Sequence, residues 1–494
     1  MSDNPTYRQL PNLFRPASSA VFFVGVWLMW WLLFPQALGF REQNQLFLYD
    51  AAFLSERLSV AGGLADLISE FITQFNVITP LGAALYALLL TLIQVEIYAL
   101  SGRGKGPVGY ALSFIPSLLL LIHLGDIYTT LSLPVAIAMA LALCILYEAH
   151  KSKILTATAI PALMWLAGPA AWIFVTYVIA NGKSLRSLAW VLWAAAFICL
   201  QQFLILPQYP PKQTLLGINY FALPLVHPVL ETASIVSAVA VPLLCSLLPR
   251  HTESGAAIGA AAFILLIGAS CFAFRTSYDK DTYEIIAYDQ LVRGEKWDEI
   301  VHRAEKYQPV SDIGCVSVNL AVFMSGRLDR LDDFLQCGTR GLLMPRVRDL
   351  ISNVSTGEAF WRLGMINESL RYAFDSQESI PNLRKSPRFL MRMAQCQMLN
   401  GRYKLAEKYL DILSHTLFYR KWATEQKEFL YDEDALASDP VYGYLLSIRQ
   451  DEDYLFHYPE MDKMLARLYF HNRNNVMAAW YWKAWIYLND KYRK

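Results

Sequence analysis

Long apolar segments fill the first half of the chain and are separated mostly by short polar links. Because a helix needs about 20 apolar residues to cross a bilayer, these segments predict membrane spans. They cover residues 18–40, 79–100, 108–125, 132–147, 188–206, 227–248 and 256–274. From about residue 275 the apolar positions keep a helical period, with little strand signal. The pattern predicts an all-α protein, with a transmembrane bundle over residues 1–274 and a soluble helical domain over residues 275–494.

One further apolar stretch, residues 154–180, does not fit a single span. It is too long for one span and too short for two, and it contains Pro161 and the pair Gly168-Pro169. We predict a broken or re-entrant pair of short helices, which needs other protein or a cavity to cover its exposed backbone. With this segment the bundle has about seven to eight spans.

The link between the first two spans, residues 41–79, is much longer than the others. Phe47, Ala51, Leu54 and Leu58 recur at helical spacing before the break at Gly62-Gly63. A second helical face follows, formed by Leu64, Leu67, Ile68, Phe71 and Phe75. The polar positions are mainly acidic: Asp50, Glu56, Asp66 and Glu70. We therefore expect two amphipathic helices at the membrane surface, with their apolar faces toward lipid and their carboxylates toward water.

The charges are divided unevenly along the chain. Of 43 Lys and Arg and 42 Asp and Glu residues, residues 1–274 hold 12 and 11, which leaves 31 of each for residues 275–494. Neither part is basic enough to predict nucleic-acid binding. The seven cysteines form no CxxC motif, so the spacing predicts neither a zinc site nor a redox pair, and it identifies no cofactor.

The distribution of basic residues predicts the orientation of the chain. If residues 154–180 turn back within the membrane, nine of the 12 Lys and Arg residues of the first part lie on the cytoplasmic side; if they cross once, seven do. Cytoplasmic loops are enriched in Lys and Arg, which favours the re-entrant course. This orientation places the link 41–79 and the C-terminal domain outside the cytoplasm.

With this orientation, ionisable residues collect on the outer face. Charged groups at the membrane edge are costly and therefore predict function. We assign catalytic roles to Glu42 and Asp126, and substrate binding to Arg41, Asp50, Arg57, His123, Lys212, His227 and Glu231. Structural alternatives stay open. Glu42 could be a solvent-exposed residue at the end of a span, and Asp126 could cap the next helix. The two histidines could be residues of the membrane interface, and Glu231 could be a hydrogen-bonding partner inside the bundle.

The C-terminal domain contains a motif typical of paired helices. Residues 401–406 have the Gly-x-Tyr-x-x-Ala spacing that opens the second helix of a tetratricopeptide repeat, and weaker copies occur around Trp297, Leu328, Ser369 and Val476. The copies from Trp297 to Tyr403 are separated by 31, 41 and 34 residues. Stacked helix pairs would offer a concave surface to a protein partner or acceptor. The alternative is a helical cap over the membrane domain.

Two resemblances rest on these residues. The run FREQNQLFLYD, the glycine pair in SVAGGLAD, the spans and the repeat-like tail resemble an uncharacterised family of polytopic inner-membrane proteins of Bacteroidota, which implies the bacterial inner membrane but no activity. The architecture also resembles the GT-C superfamily of glycosyltransferases, which use polyprenyl-phosphate-linked sugars. In that resemblance Glu42 holds the position of the first external acid and Asp126 that of the second, but Arg41-Glu42-Gln43 stands where the superfamily has a pair of acids.

The resemblance implies a sugar transfer from a polyprenyl-phosphate donor to an envelope acceptor. Such a transfer needs a carboxylate to accept the acceptor's proton, for which Glu42 is the candidate. It also needs cations beside the leaving phosphate, for which Arg41, Arg57 and Lys212 are candidates. The main alternative is a non-enzymatic membrane scaffold that presents a helical interaction domain. A transporter, with its substrate at the broken segment, is a third.

Overall fold

The computed structural model of the protein describes residues 6–101, 107–182, 185–211, 228–247, 255–327, 337–450 and 457–492. Within these ranges the chain is all-helical and has no strands, which confirms the predicted class. The chain divides into two compact units. Unit 1 comprises residues 1–42 and 50–279, and unit 2 comprises residues 43–49 and 280–494. The division falls close to the predicted boundary, except for the short segment 43–49.

Unit 1 contains 13 α-helices in its described part, which we number in chain order. They are α1 (Thr6–Leu28), α2 (Pro35–Gln43), α3 (Ala51–Leu58), α4 (Gly63–Thr73), α5 (Thr79–Leu100), α6 (Pro107–Leu112), α7 (Ile115–His123), α8 (Ser132–His150), α9 (Lys153–Leu166), α10 (Ala171–Asn181), α11 (Ala189–Leu200), α12 (Pro228–Leu247) and α13 (Gly255–Ser277). A π-helical stretch, Met29–Leu33, continues α1.

In the described part of unit 1, five helical segments are long and apolar enough to cross a membrane. They are Arg15–Leu33, Thr79–Leu100, Ser132–His150, Arg186–Ile205 and Ala257–Arg275. The predicted spans at 108–125 and 227–248 correspond to shorter apolar helices, Val108–His123 and Val229–Cys245, in the described residues. Side chains such as Leu192, Phe203 and Leu265 are more than 70% exposed, as expected of surfaces that face lipid.

A break separates two short helices in residues 154–180. Helix α9 ends at Leu166, a short 3₁₀ turn covers Gly168–Ala170, and α10 follows. Gly168 has a φ of 64°, a conformation that favours glycine, and Pro169 cannot donate a main-chain hydrogen bond. Both short helices pack on α8 and on each other. Neighbouring helices thus cover the interrupted backbone, although the re-entrant course stays a prediction.

The link between the first two spans contains two helices, α3 and α4. Helix α3 begins after Asp50, whose carboxylate accepts a hydrogen bond from the amide of Phe53. Phe53 and Arg57 are the buried side chains of α3, whereas Leu54 and Leu58 are exposed. Phe47 does not belong to this helix, since it lies in the segment assigned to unit 2.

Unit 2 contains a further 12 α-helices in its described part. They are α14 (Lys280–Arg293), α15 (Trp297–Lys306), α16 (Asp312–Met324), α17 (Ser352–Arg362), α18 (Ile366–Glu378), α19 (Pro387–Leu399), α20 (Tyr403–Ser414), α21 (Arg420–Lys427), α22 (Glu433–Ser438), α23 (Pro440–Ile448), α24 (Met461–His471) and α25 (Val476–Tyr492). Successive helices pack in pairs, including α17 with α18 and α19 with α20.

The motif at 401–406 lies where a helix pair turns. Gly401 adopts a φ of 68° after α19, and α20 begins at Tyr403 with Ala406, Leu410 and Leu413 buried. Helices also begin at Trp297 and Val476, whereas Leu328 lies outside the described residues. The helix pairs are observed, but a tetratricopeptide-like repeat stays a prediction.

Unit 2 also contains a disulfide, between Cys315 on α16 and Cys337. The two cysteines are 22 residues apart and their Cα atoms are 6.5 Å apart. The spacing of the seven cysteines gave no sign of this pair, because a structural disulfide needs spatial proximity rather than a short motif. A loop of this length stabilises a fold by about 3 kcal/mol in the chain-entropy account.

The segment Gln43–Tyr49 belongs to unit 2 and begins with the last residue of α2. The amide of Leu46 donates to the carbonyl of Lys385 at 3.0 Å, and the amide of Tyr49 donates to the carbonyl of His415 at 2.7 Å. The four side chains from residue 45 to residue 48 are buried. A stretch that precedes the second span therefore completes the C-terminal unit, so a fragment that begins at residue 280 lacks part of its core.

Candidate functional site

Arg41 is a structural bridge inside unit 1. Its guanidinium group donates to the carbonyl oxygens of Leu124 at 2.5 Å, Asp126 at 2.9 Å and Thr129 at 3.1 Å. It also lies over the ring of Trp30, 5.1 Å from the ring centroid, which is cation–π geometry. The side chain is 1% exposed. Arg41 therefore holds the end of α7 and the following turn, and a phosphate cannot reach it in this conformation.

The two predicted catalytic acids lie in different environments. Glu42, in the last turn of α2, is only 4% exposed. Asp126 is half-buried, and its carboxylate accepts a hydrogen bond from the amide of Tyr128 at 2.9 Å. Aspartate often makes this local turn. The next helix, α8, begins at Ser132 and has Leu131 at its N-cap, so Asp126 does not cap it. Because Arg41 contacts the backbone of Asp126, the starts of the first two predicted external loops meet.

The remaining predicted residues are dispersed or lie inside the unit. Asp50 is the N-cap of α3, and His123, in the last turn of α7, is 3% exposed. Glu231 is buried in the first turn of α12. Lys212 and His227 lie outside the described residues.

Arg57 forms a buried ion pair with Glu70, at 3.0 Å between Nη2 and Oε1. The same inner face of α4 carries Asp66, Ser69 and Thr73, all buried, and Asp66 accepts a hydrogen bond from Ser132 of α8 at 2.7 Å. The expected orientation of this helix, with carboxylates toward water, is therefore wrong. In apolar surroundings a polar face is stabilised when it turns inward and finds partners there, and the apolar face of α4, which includes Phe71, is exposed instead.

A different site appears in unit 2. A cavity of about 540 Å³ is bounded by α14, α17, α18 and α19, and Gln43 contributes to its edge. The volume falls in the range of small-molecule sites. Gln43 reaches the cavity because the segment Gln43–Tyr49 belongs to this unit, and its side chain donates to the hydroxyl of Tyr419, another lining residue, at 3.0 Å.

Four arginines line this cavity: Arg293, Arg362, Arg388 and Arg392. The last three surround Glu358, which bonds Arg362 at 3.2 Å and Arg392 at 2.5 Å. Burial by itself would raise the pKa of Glu358, but the three guanidinium groups outweigh that effect and lower it. Glu358 is therefore ionised at neutral pH, and we refer to these four arginines as the arginine cluster.

Two other carboxylates accompany the arginine cluster. Asp289 bonds Arg388 at 2.5 Å and lies 3.9 Å from Arg293, and Glu295 pairs with Arg362. Four guanidinium groups thus face three carboxylates. Among the lining residues that the structure describes, there is no lysine or histidine to change this balance.

An aromatic wall completes the cavity. The guanidinium group of Arg392 lies 4.0 Å from the ring centroid of Trp361. The hydroxyl of Tyr372 donates to the carbonyl of Met344 at 2.7 Å, and this hydrogen bond fixes the buried ring. Phe389 and Met391 add apolar surface. The cavity therefore combines a net positive charge with aromatic and apolar walls.

The sequence contained a weak signal of this site. Glu358 and Arg362 are four residues apart, as are Arg388 and Arg392, and such pairs share one helix face. A helical face that carries arginine within an apolar core is unusual. What the sequence did not reveal is that α17 and α19 turn these faces toward each other. In the described part of the chain, no group of three or more His, Cys, Asp or Glu residues is placed to hold a metal ion.

The fold and the cavity define a class: an all-helical, two-unit protein with apolar helices compatible with a membrane and a cationic cavity in its C-terminal unit. A family of unknown function (DUF6057) matches residues 11–492, and the chain belongs to this family. No curated protein and no solved structure matches the chain. The resemblances to Bacteroidota inner-membrane proteins, to GT-C enzymes and to tetratricopeptide repeats stay predictions.

Proposed function

We propose that this protein is a membrane-anchored binding protein, in which unit 1 is the anchor and the cavity of unit 2 is the binding site. It differs from the scaffold alternative of the sequence analysis, in which the helical domain binds other proteins, because here the ligand occupies a cavity. One observation carries it: the cavity gathers four arginines and an aromatic wall at the edge of the segment Gln43–Tyr49. Structural ion pairs alone do not require an open volume of about 540 Å³ beside them.

A cavity-filling variant tests this proposal. Ala373 of α18 is buried and lines the cavity, so Ala373→Trp would fill much of the volume. The full chain in detergent is tested by thermal unfolding against a panel of anionic, cationic and neutral small molecules. We expect some members to stabilise the wild type, by about 2.7 kcal/mol at one hundred times Kd, and none to stabilise the filled variant.

Ala437→Trp, on the exposed side of α22, is the matched control and should keep the response. A panel in which no compound of any charge stabilises the wild type would contradict the proposal.

The second part of the proposal concerns location. We place unit 1 in a bacterial inner membrane and unit 2 on its outer side. The 9-to-3 distribution of basic residues supports this orientation. The disulfide between Cys315 and Cys337 is a second support, because such bonds persist in oxidising compartments such as the periplasm and are rare in the cytosol.

Thiol labelling in cells tests this location. After acid quenching and denaturation, a maleimide reagent should label the five free cysteines without reduction and all seven after it. Cys315→Ser frees its partner, so every remaining cysteine should react without reduction. Cys396→Ser, which removes a cysteine that is free, should leave the pair protected. Seven labels in the unreduced wild type would place unit 2 in a reducing compartment.

A second candidate function is the GT-C-like glycosyl transfer. One observation favours it, namely the hydrogen bond from Arg41 to the carbonyl of Asp126, which joins the starts of the two predicted external loops. In this proposal Glu42 is the base and the half-buried Asp126 positions the acceptor. Because Glu42 is buried, the reaction would require the end of α2 to open.

A further inference from the structure

Among the residues that the structure describes, the positive charges of the arginine cluster outnumber the carboxylates that contact them. Four guanidinium groups face the carboxylates of Asp289, Glu295 and Glu358, and each carboxylate already contacts at least one of them. Arginine keeps its charge in proteins. One positive charge therefore remains, in a partly enclosed space where electrostatic interactions are stronger than in bulk water. A ligand with one negative charge would restore the balance, whereas a dianion would exceed it.

Hydrogen-bond donors are also available at the cavity. Within the described residues, Nη1 of Arg392 and Oγ of Ser376 are buried atoms without a hydrogen-bond partner, and both residues line the cavity. Ser376 is 0% exposed. A buried polar group without a partner is costly, so a bound acceptor would stabilise both. A carboxylate has two acceptor oxygens in one plane, which matches the geometry of a guanidinium group.

The remaining walls determine the rest of the ligand. Trp361, Phe389, Met391 and Val441 present aromatic and apolar surface to the same cavity. Burying apolar ligand atoms against them is favourable, because it removes apolar surface from water. A small hydrophilic anion would leave this surface without contacts.

We propose that the cavity binds an amphiphilic monocarboxylate, that is, a single carboxylate attached to an apolar or aromatic body. The carboxylate contacts Arg392 and Ser376, and the body packs on Trp361 and Phe389. This ligand class rests on the proposed binding function of unit 2. It is independent of whether the acid is a free small molecule or the carboxyl end of a peptide, since both present the same group.

Calorimetric titration of the full chain in a non-ionic detergent tests the proposal with defined probes. N-acetylphenylalanine supplies a carboxylate and an aromatic body in the form of a chain end, and 4-phenylbutyrate supplies them as a simple acid. N-acetylphenylalaninamide is the neutral counterpart, and phenyl phosphate is the dianion. We expect at least one of the two acids to bind tenfold or more tightly than the neutral amide, a difference of about 1.4 kcal/mol. The phosphate should bind less tightly than that acid.

Arg392→Gln should weaken binding of the acid by 10-fold or more and leave binding of the amide unchanged. Arg371→Gln removes the same charge from an exposed position of α18 outside the cavity, and should change neither. A further test uses the wild type alone. Raising the salt concentration should weaken binding of the acid and leave binding of the amide unchanged, because ions screen the attraction between the carboxylate and the arginine cluster.

The outcomes separate the ligand class from the binding function. Equal affinity for acid and amide, or tighter binding of the phosphate, would overturn the monocarboxylate and leave the cavity as a binding site. The same holds if neither acid binds while another compound of the stabilisation panel does. If no compound of any class binds, the proposed function fails as well.

Discussion

Arg57→Met is expected to lower the free energy of unfolding of unit 1 by about 3–5 kcal/mol. The substitution leaves the carboxylate of Glu70, which is 0% exposed, without the guanidinium group that lies 3.0 Å away. Removing one partner of a buried ion pair costs this much because an uncompensated charge stays in apolar surroundings. Unfolding of the full chain in mixed detergent–dodecyl sulfate micelles, followed by circular dichroism, measures the effect.

A double variant and a control variant identify the origin of this loss. The variant Arg57→Met with Glu70→Leu should recover most of the stability, since a buried ion pair and an apolar pair of similar volume are often equivalent. Lys151→Met is the matched control, because its pair with Glu148, at 3.7 Å, is largely exposed and should contribute at most about 1 kcal/mol. Equal losses for Arg57→Met and Lys151→Met would show that Arg57 is not buried as described.

Ala406→Arg is the second change with a large expected effect. Ala406 is 0% exposed on the face of α20 that also buries Leu410 and Leu413, and α20 packs on α19. A long charged side chain would overpack this contact and bury a charge without a partner, at a cost of several kcal/mol. The thermal midpoint of the full chain should fall by well over 5 °C, given about 2–4 °C per kcal/mol for a unit of this size.

Ala437→Arg provides the same substitution at an exposed position of α22 and should shift the midpoint little. The full chain is required for this comparison, because Gln43–Tyr49 belongs to unit 2 and a fragment from residue 280 lacks it. Identical midpoints for Ala406→Arg and the wild type would refute the close contact between α19 and α20.

The helical architecture was predictable because it depends on local patterns. Apolar runs of about 20 residues predict membrane spans whichever helices they pack against. Gly168-Pro169 interrupts a helix because of the backbone geometry of these two residues. The turn at Gly401 and the buried Ala406 follow from the same kind of local rule. These features need no knowledge of which helices meet.

The orientation of α4 was not predictable from its own pattern. An amphipathic helix has two faces, and the pattern does not say which of them lies inward. A helix at a membrane surface turns its polar face toward water, whereas α4 buries Asp66 and Glu70, because Ser132 and Arg57 supply partners for them inside unit 1. Those partners lie 66 and 13 residues away in the sequence, beyond the reach of a helical period.

The candidate site required the tertiary structure for a similar reason. Glu358 and Arg392 are 34 residues apart and lie on helices that are not consecutive, and Gln43 comes from a distant part of the chain. Arg41 and Glu42, which the membrane-edge pattern predicts as site residues, are buried in unit 1 instead. Charge in unit 2 was abundant, so composition alone did not distinguish the arginine cluster from a solvated surface.

A cryo-electron microscopy map of the full chain, purified from its own membrane, tests the central claim most directly. The account predicts additional density in the cavity of unit 2, in contact with Arg392 and Ser376 and bordered by Trp361. A cavity closed by protein side chains, with additional density beside Asp126 in unit 1 instead, would contradict the binding site in unit 2 and favour the glycosyl-transfer candidate.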